Sequence, residues 1–295
     1  MLTIYTHSRK FHADEVVAIA LLIKYHFQGR SYEVIRTRDN ALLERAKNNV
    51  SSFVIDVGFS YNPEKLNFDH HQDEEGLSWD DGLPMSSCGL IWKWLKENKK
   101  LNQHMNKSMM LLIEDELIRK VDAHDNGYEA WPASELICGY NRKTDDDKRI
   151  DAKFMLALRT ACEYLDNFLY KMKERISEEK HIKKAIKQSE NIEGIVISDC
   201  NIHSGAYLTS KLTDKKLFIS PRTHNSWTLT CVPIDADKPY AGNRMIMPEE
   251  WRGYSASHSE EELEQGLIFC HKSGHMCMIE ASKEDIIEIA KSLIK

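Results

Sequence analysis

The hydrophobic and polar positions in the first part of the chain form two kinds of segment. Short apolar runs of strand type occur at 2–6, 32–36 and 53–58, and longer runs with helical spacing occur at 14–27 and 41–49. Strands and helices that alternate at this spacing predict βαβ units, in which helices cover both faces of a parallel sheet. The segment 14–27 is apolar nearly all round, so we expect that helix to be well buried.

Further along, the pattern predicts more helices and then loses its apolar period. Helices are predicted at 86–98, with Ser86 as a candidate N-cap, and at 108–125. After residue 141 the chain is charged, and a helical stretch rich in Lys and Glu extends from about 151 to 190. We interpret this stretch as one or two connecting helices with a solvated face.

The last third predicts a second α/β domain. Its strands are predicted at 194–199, 217–221, 227–234, 267–273 and 276–281, with a closing helix at 283–294. The sequence therefore predicts an α/β protein with a mainly parallel N-terminal sheet. We divide it into a catalytic domain at 1–145, a helical linker at 146–190 and a smaller substrate-binding α/β domain at 191–295.

Composition limits the partners that the chain can attract. Of its 295 residues, 42% are hydrophobic, which is enough for a sizeable core, and the formal net charge is −6. A chain with this charge has no long-range positive field that would draw in nucleic acid. A polyanionic substrate must therefore be held by a local basic patch or by bound metal, and short substrates are favoured over long duplexes.

The number and spacing of the cysteines indicate the cellular compartment in which the protein functions. The seven cysteines are scattered, their number is odd, and they form no C-x-x-C pair. The first residues predict a strand rather than a leader segment, and no apolar run approaches the length of a transmembrane helix. We therefore expect reduced thiols, a cytoplasmic protein and no membrane partner.

Acidic and histidine side chains follow the predicted strand and helix ends. In order along the chain they are His7, His12, Asp14, Asp56, Asp69, His70, His71, Asp122 and Asp125. Any one of these motifs alone could have a purely structural role, because histidines often cap helices or lie in hydrophobic cores. Together they fall where a doubly wound sheet gathers its ligands, and like charges crowded there repel one another unless cations lie among them. Histidine nitrogen mixed with carboxylate oxygen suits divalent Mn, Fe, Zn or Co.

Several of these segments resemble a known family. The stretches THSRKFHADEVVA, VIRTRD, FVIDVG, FDHHQ, SSCGLIW and VDAHDNG are similar to the Myg exonuclease family, a branch of the DHH phosphoesterase superfamily. In the last third, RTHNSWTLTCVPI, MPEEWRG and FCHKSG resemble the second domain of the same family. The resemblance implies a DHH-type catalytic domain, a dinuclear metal centre and a substrate cleft between the domains.

The resemblance also implies roles for individual residues. One ion would be bound by His7, His12 and Asp56, and the other by Asp14, Asp56, His70 and Asp122, with Asp56 as the bridge. His71 would face the substrate phosphate, and Asp69 would orient a histidine. Asp125 would either bind a metal itself or support a metal ligand from outside. The ions are expected to be manganese, with Mg, Co and Zn as alternatives.

The implied function is a dinuclear-metal phosphodiesterase, a 3′-to-5′ exonuclease acting on RNA or short oligonucleotides. Arg36, Arg38 and Arg222 are candidates for neutralising phosphate charge, and Arg222 is the one assigned to the substrate. One alternative is hydrolysis of a small phosphate such as pAp, a cyclic dinucleotide or pyrophosphate. Another is a non-catalytic, metal-stabilised binding or regulatory protein. Assembly as a homodimer is left open.

Overall fold

A computed structural model of the chain describes residues 2–72, 77–141, 146–223, 225–238, 241–258 and 266–294. The chain divides into two compact units, residues 1–172 and 173–295. The boundary lies inside a single helix, so the three-part division drawn from the sequence stays a prediction. The mixed α/β class, with a parallel-rich first sheet, is confirmed.

The first unit is built on a sheet of five strands in the order β2-β1-β3-β5-β4. These strands are β1 (Leu2–Thr6), β2 (Tyr32–Arg36), β3 (Ser52–Ile55), β4 (Tyr61–Asn62) and β5 (Asn67–Phe68). All neighbours pair in parallel except β4, which is antiparallel to β5. Strand β3 ends before the predicted 58, because Asp56 takes a left-handed conformation with φ 56° that an extended strand cannot contain.

The described residues of this unit also form helices, the last of which continues into the second unit. They are α1 (Ala13–Leu22), α2 (Asn40–Lys47), α3 (Ser87–Glu97), α4 (Lys107–Ile113), α5 (Arg119–Asp125), α6 (Pro132–Cys138) and α7 (Asp147–Gln188). Every residue of α1 is buried, as its apolar sequence predicts. The predicted helix 14–27 continues past α1 as a π-helical segment, Ile23–Phe27, and stops where Gln28 turns left-handed. A second π-helical segment, Glu114–Ile118, joins α4 to α5.

The second unit has its own sheet of five strands, in the order β6-β7-β8-β10-β9. Its elements are β6 (Ile195–Ile197), α8 (Gly205–Leu212), β7 (Leu217–Thr223), β8 (Ser226–Cys231), β9 (Leu267–Cys270), β10 (Met276–Glu280) and α9 (Lys283–Ile294). Only β6 and β7 pair in parallel, and the other neighbours are antiparallel. The five predicted strands and the closing helix are therefore present, with shorter bounds for several strands.

Two helices were not predicted. Both α6 and α8 are short, and neither sequence repeats its apolar residues over enough turns to show a helical period. The charged stretch after residue 146 forms one helix, α7, of 42 residues. Among the described residues, none of the helices has both the length and the apolar character that crossing a bilayer requires.

Candidate metal centre

The parallel strands bring the first acidic and histidine residues to one edge. Ile55 is the register partner of Phe68, and Tyr5 is the partner of Val54. If this register is continued past the strand ends, His7, Asp56 and Asp69 lie side by side after neighbouring strands, at the carboxyl edge of the sheet. Ligands bind at this edge in such folds. The sequence order of the motifs is thus converted into a cluster by strand pairing.

Asp56 lies at the centre of this cluster. One carboxylate oxygen, Oδ2, lies 3.2 Å from His7 Nε2, and the other, Oδ1, lies 3.3 Å from His70 Nε2. Burial raises the pKa of Asp56, but hydrogen bonds from His7 and His70 outweigh it and hold the pKa below its usual value. Asp56 therefore stays ionised, and its two oxygens face different histidines, as a bridging ligand requires.

The loop after β1 and the first turn of α1 add more donors. His12 precedes α1, and its backbone N–H donates to Glu15, whose Oε1 also lies 3.1 Å from His7 Nε2. Burial lowers the pKa of His7, but the hydrogen bonds to Asp56 and Glu15 raise it above its usual value. Acidic groups in a first helical turn also interact favourably with the helix dipole.

Asp14 is the residue that most needs a positively charged partner. It is 1% exposed. Neither of its carboxylate oxygens has a hydrogen-bond partner among the described residues. Its pKa is raised well above the usual value, first by burial and then by the charges of Asp56 and Asp125. A buried carboxylate without donors is costly, so a cation bound at this position fits the structure.

The Asp69-His70-His71 sequence turns its members in different directions. His70 Nε2 faces Asp56 and lies 3.4 Å from Asp125 Oδ2. The His71 side chain is 51% exposed and lies 2.7 Å from Asp69 Oδ1 through Nδ1. Asp69 itself is buried and also accepts from the backbone N–H of Phe59 at 2.7 Å. His71 Nδ1 also lies 3.6 Å from Asp56 Oδ1, so both histidines border the cluster, and His71 is the more exposed of the two.

Asp122, which the resemblance assigned as a ligand, has other contacts. Its Oδ1 accepts from the backbone N–H of Ser86 at 3.1 Å, from Ser86 Oγ at 2.6 Å and from the N–H of Gly89 at 3.0 Å. Its Oδ2 accepts from Trp79 Nε1 at 2.8 Å. With these four hydrogen bonds, Asp122 caps the start of α3 from α5 and has no ligand atom in the cluster.

Asp125, one helical turn later, does lie in the cluster. Within the described residues, three groups have ligand atoms within 4.8 Å of one another, namely His7-His12-Glu15-Asp56, Asp56-His70-His71 and His12-Asp14-Asp125. Six members of these groups line a cavity of about 400 Å³, namely His12, Asp14, Asp56, His70, His71 and Asp125. A larger cavity of about 950 Å³ in the second unit has no histidine in its lining, so the smaller one is the candidate site. Mixed nitrogen and oxygen donors suit Mn, Fe, Zn or Co.

The candidate arginines differ in their environment. Arg36 is 3% exposed in its side chain and pairs with Asp151 of α7 at 2.8 Å, so it is a packing residue rather than a surface for phosphate. Arg222 is exposed on β7 and lies along a cavity of about 230 Å³ with Ser220 and Thr228. No carboxylate is paired with it in the described parts of the chain. Arg38 is exposed.

Two residues of the cluster region escaped the sequence analysis. Glu15 could have been noticed, because it stands three positions after His12 at the start of a predicted helix, where a carboxylate can accept the N-cap N–H. Trp79 gave no signal, since its partner Asp122 lies 43 positions further along the chain and only the tertiary structure joins them. In the second unit, His271 and His275 bond Ser273 at 2.9 and 2.7 Å, while Cys270 is buried.

Sequence comparison identifies the family. The family model MYG1_exonuc, described as an uncharacterised protein family (UPF0160), matches residues 3–294. The chain belongs to this family. The MYG1 protein of Dictyostelium discoideum is 30% identical over 92% of this chain and 91% of its own length. The MYG1 exonuclease of Rattus norvegicus is 28% identical over 91% of this chain and 78% of its own.

Membership confirms the family that the motifs predicted, and with it the prediction of an enzyme. Similar solved structures include the pGpG-specific phosphodiesterase PggH of Vibrio cholerae, at 14% identity and a TM-score of 0.33 over 99% of this chain and 97% of that one. Another is the exonuclease RecJ bound to manganese, which is 12% identical in sequence with a TM-score of 0.30. The match covers 99% of this chain and 89% of RecJ. These scores are too low to support conclusions about the site.

Proposed function

We propose that this MYG1 family member hydrolyses phosphodiester bonds with two divalent ions held around Asp56. The observation that carries the proposal is the position of Asp56, whose two oxygens face His7 and His70 separately at 3.2 and 3.3 Å. His7 and His12 would hold one ion with Asp56. Asp14, Asp56, His70 and Asp125 would hold the other, with Asp125 in the place that the resemblance gave to Asp122.

The chemistry of such a centre is known in outline. Two divalent ions, when bound, supply an acidified water and polarise the phosphoryl oxygens. Mixed nitrogen and oxygen donors are compatible with manganese as well as with Fe, Zn and Co, and manganese, which the resemblance implied, is the ion that we propose. The unpartnered oxygens of Asp14 and the acidic side chains crowded beside it support a site that becomes stable only with added positive charge.

The protein groups around the ions would orient the phosphate and stabilise its charge. The hydrogen bond to Asp69 raises the pKa of His71, which favours a protonated ring. Because the Nδ1 atom of that ring is engaged by Asp69, its Nε2 is the atom left to donate to a non-bridging phosphate oxygen. Such a donor stabilises the charge that develops as the scissile bond breaks.

As substrate we propose RNA or a short oligonucleotide, cleaved from its 3′ end. The exonuclease name of the rat relative supports a nucleic-acid substrate. The net charge of −6 supports a short one, because the chain has no extended positive field for a long duplex. We further propose that Arg222, exposed beside Ser220 and Thr228, binds a phosphate other than the scissile one.

The test combines metal analysis with a substrate panel. Purified protein with manganese should release mononucleotides from RNA or oligonucleotides, and 5′-labelled RNA should shorten progressively from its 3′ end. Panels with pAp, cyclic dinucleotides and pyrophosphate test the small-phosphate alternative. Manganese binding without hydrolysis of any member would instead indicate a binding or regulatory protein.

Asp56→Asn is the variant that tests the metal bridge. Asn tolerates the left-handed φ of 56° at this position, whereas Ala would add backbone strain to the loss of the ligand. The variant should stay folded, lose most of its bound manganese and lose activity. Asp80→Asn, which neutralises an exposed carboxylate, is the matched control. Two ions still bound to Asp56→Asn would contradict the bridge.

A further inference from the structure

The loop between β1 and α1 carries two of the histidines and is held from a distant part of the chain. The backbone N–H of Phe11 donates to Asn141 Oδ1 at 3.1 Å, and Asn141 Nδ2 donates to the carbonyl oxygen of Phe11 at 2.5 Å. Asn141 lies 130 positions further along the sequence. One amide therefore binds both backbone groups of one residue, and the backbone donor and acceptor define which way the amide points.

This contact fixes the peptide unit that leads into His12. The carbonyl of Phe11 and the N–H of His12 belong to the same peptide plane. Asn141 donates to the carbonyl, and Glu15 accepts from the N–H at 2.9 Å. Glu15 also lies 3.1 Å from His7 Nε2. The plane is thus bonded at both ends, and the position of His12 relative to His7 follows from it.

A second contact holds the middle of the same loop. Arg9 has a φ of 73°, a conformation that a non-glycine residue keeps only with support from its surroundings. Its carbonyl accepts from Arg36 Nη2 at 2.5 Å, while Arg36 Nη1 pairs with Asp151 at 2.8 Å. The guanidinium lies 5.4 Å from the ring of Phe11. The loop is therefore tied to α7 through Arg36, and it is also bonded by Asn141, which precedes α7 in the sequence.

We infer that Asn141 is a positioning residue for the metal centre, which sets the place of His12 without touching a metal itself. The inference rests on the proposed function, since it presumes that His7 and His12 bind an ion. Outer contacts of metal ligands are worth about 10–100-fold in metal affinity. Asn is the shortest side chain that carries its donor and its acceptor on separate atoms, so it can bond the N–H and the carbonyl oxygen of Phe11 at the same time.

Two substitutions of Asn141 separate the effect of losing the amide hydrogen bonds from the effect of an added negative charge. Asn141→Asp keeps the shape and the acceptor, but it places a carboxylate oxygen against the carbonyl oxygen of Phe11. Asn141→Leu has a similar size and removes both hydrogen bonds without adding charge. Asn102→Asp, at an exposed turn of the same unit, is the control for an added negative charge. All are made in the full chain and titrated with manganese by calorimetry.

Both Asn141 variants should bind manganese about tenfold more weakly than the wild type. The Asp variant is the sharper test, because its extra negative charge alone would strengthen cation binding. Saturating manganese should restore the wild-type kcat and KM, whereas general loss of folded protein would lower kcat at every metal concentration. The control should match the wild type throughout.

Two results would overturn the inference alone. One is manganese affinity in both variants that equals the wild type, and the other is wild-type affinity in the Leu variant with a changed affinity in the Asp variant alone, which would assign the effect to charge. A wild-type protein that binds no manganese would overturn the proposed function and this inference together. Metal titration of the wild type therefore comes first and tells the two failures apart.

Discussion

Asp69 accepts two hydrogen bonds from His71, one from its backbone N–H at 3.0 Å and one from its Nδ1 atom at 2.7 Å. The two bonds fix the backbone and the ring of His71 together, and they engage Nδ1 rather than Nε2. His70, the residue between them, faces Asp56 instead. Neighbours in the sequence therefore have different surroundings, and this difference can be tested by substitution.

His70→Ala should weaken manganese binding by more than about tenfold, because the side chain lies among the candidate ligands. His71→Ala should keep the manganese and lower kcat by about 10²–10³-fold, the effect of removing one donor to a developing charge. Calorimetric titration and steady-state kinetics on an oligonucleotide separate the two effects. Equal loss of manganese in both variants would contradict the division of roles.

The two aspartates of α5 allow a second comparison. Asp125→Asn should weaken manganese binding by more than about tenfold, since its carboxylate lies in the cluster with His12 and Asp14. Asp122→Asn should lower the unfolding temperature instead, because it weakens the hydrogen bonds to Ser86, Gly89 and Trp79. Metal analysis beside thermal unfolding distinguishes the two. If Asp122→Asn loses more manganese than Asp125→Asn, the assignment from the resemblance is the better one.

A variant at Gly89 checks the same contact without touching a carboxylate. A Cβ atom added at Gly89 would lie 2.2 Å from Asp122 Oδ2, which no real contact allows. Gly89→Ala should therefore displace the Asp122 carboxylate and lower the unfolding temperature of the protein. Its manganese affinity should fall less than that of Asp125→Asn. Ala152→Ser, at an exposed position of α7, is the control. A Gly89→Ala protein as stable as the wild type would contradict the contact.

The sequence predicted the first sheet and the edge where the cluster lies. Both predictions rest on the spacing of hydrophobic residues and on the succession of strands along the chain, which are visible in the sequence itself. It could not separate Asp122 from Asp125, since residues three apart lie on the same side of a helix. Which one reaches the strand ends depends on how α5 packs against α3. The role of Asn141 was equally hidden, because its partner Phe11 lies 130 positions away and only the tertiary structure joins them.

Acid should destabilise the protein partly through His26. Its ring packs against Phe53 and Trp94 at 5.3 and 5.2 Å, and its Nδ1 is buried without a hydrogen-bond partner in the described chain. Burial, followed by the charges of Lys100 and Arg30, lowers the pKa of His26 from 6.5 to about 4. Between these values the unfolded chain binds the proton and the folded one does not, so stability falls as pH drops from 6.5 towards 4.

His26→Phe should make the free energy of unfolding less dependent on pH in that range. Denaturant titrations of metal-free protein at several pH values measure the slope for wild type and variant. His181→Gln, at an exposed position of α7, should leave the slope unchanged. A variant with the wild-type slope would mean that His26 is not the group that takes up the proton.

Arg222 of the second unit is predicted to bind substrate rather than metal. Arg222 lines one cavity with Ser220 and Thr228, which are register partners on β7 and β8. A guanidinium binds phosphate through two parallel hydrogen bonds, which lysine cannot copy. Arg222→Lys should therefore raise the KM for oligonucleotides about tenfold, an effect of about 1.4 kcal/mol, with manganese content unchanged. A mononucleotide model ester, which has no second phosphate, should be hydrolysed as by the wild type. Arg45→Lys, at an exposed position of α2, is the control. Equal loss on both substrates would indicate a structural role for Arg222, and no loss on either would remove it from the substrate site.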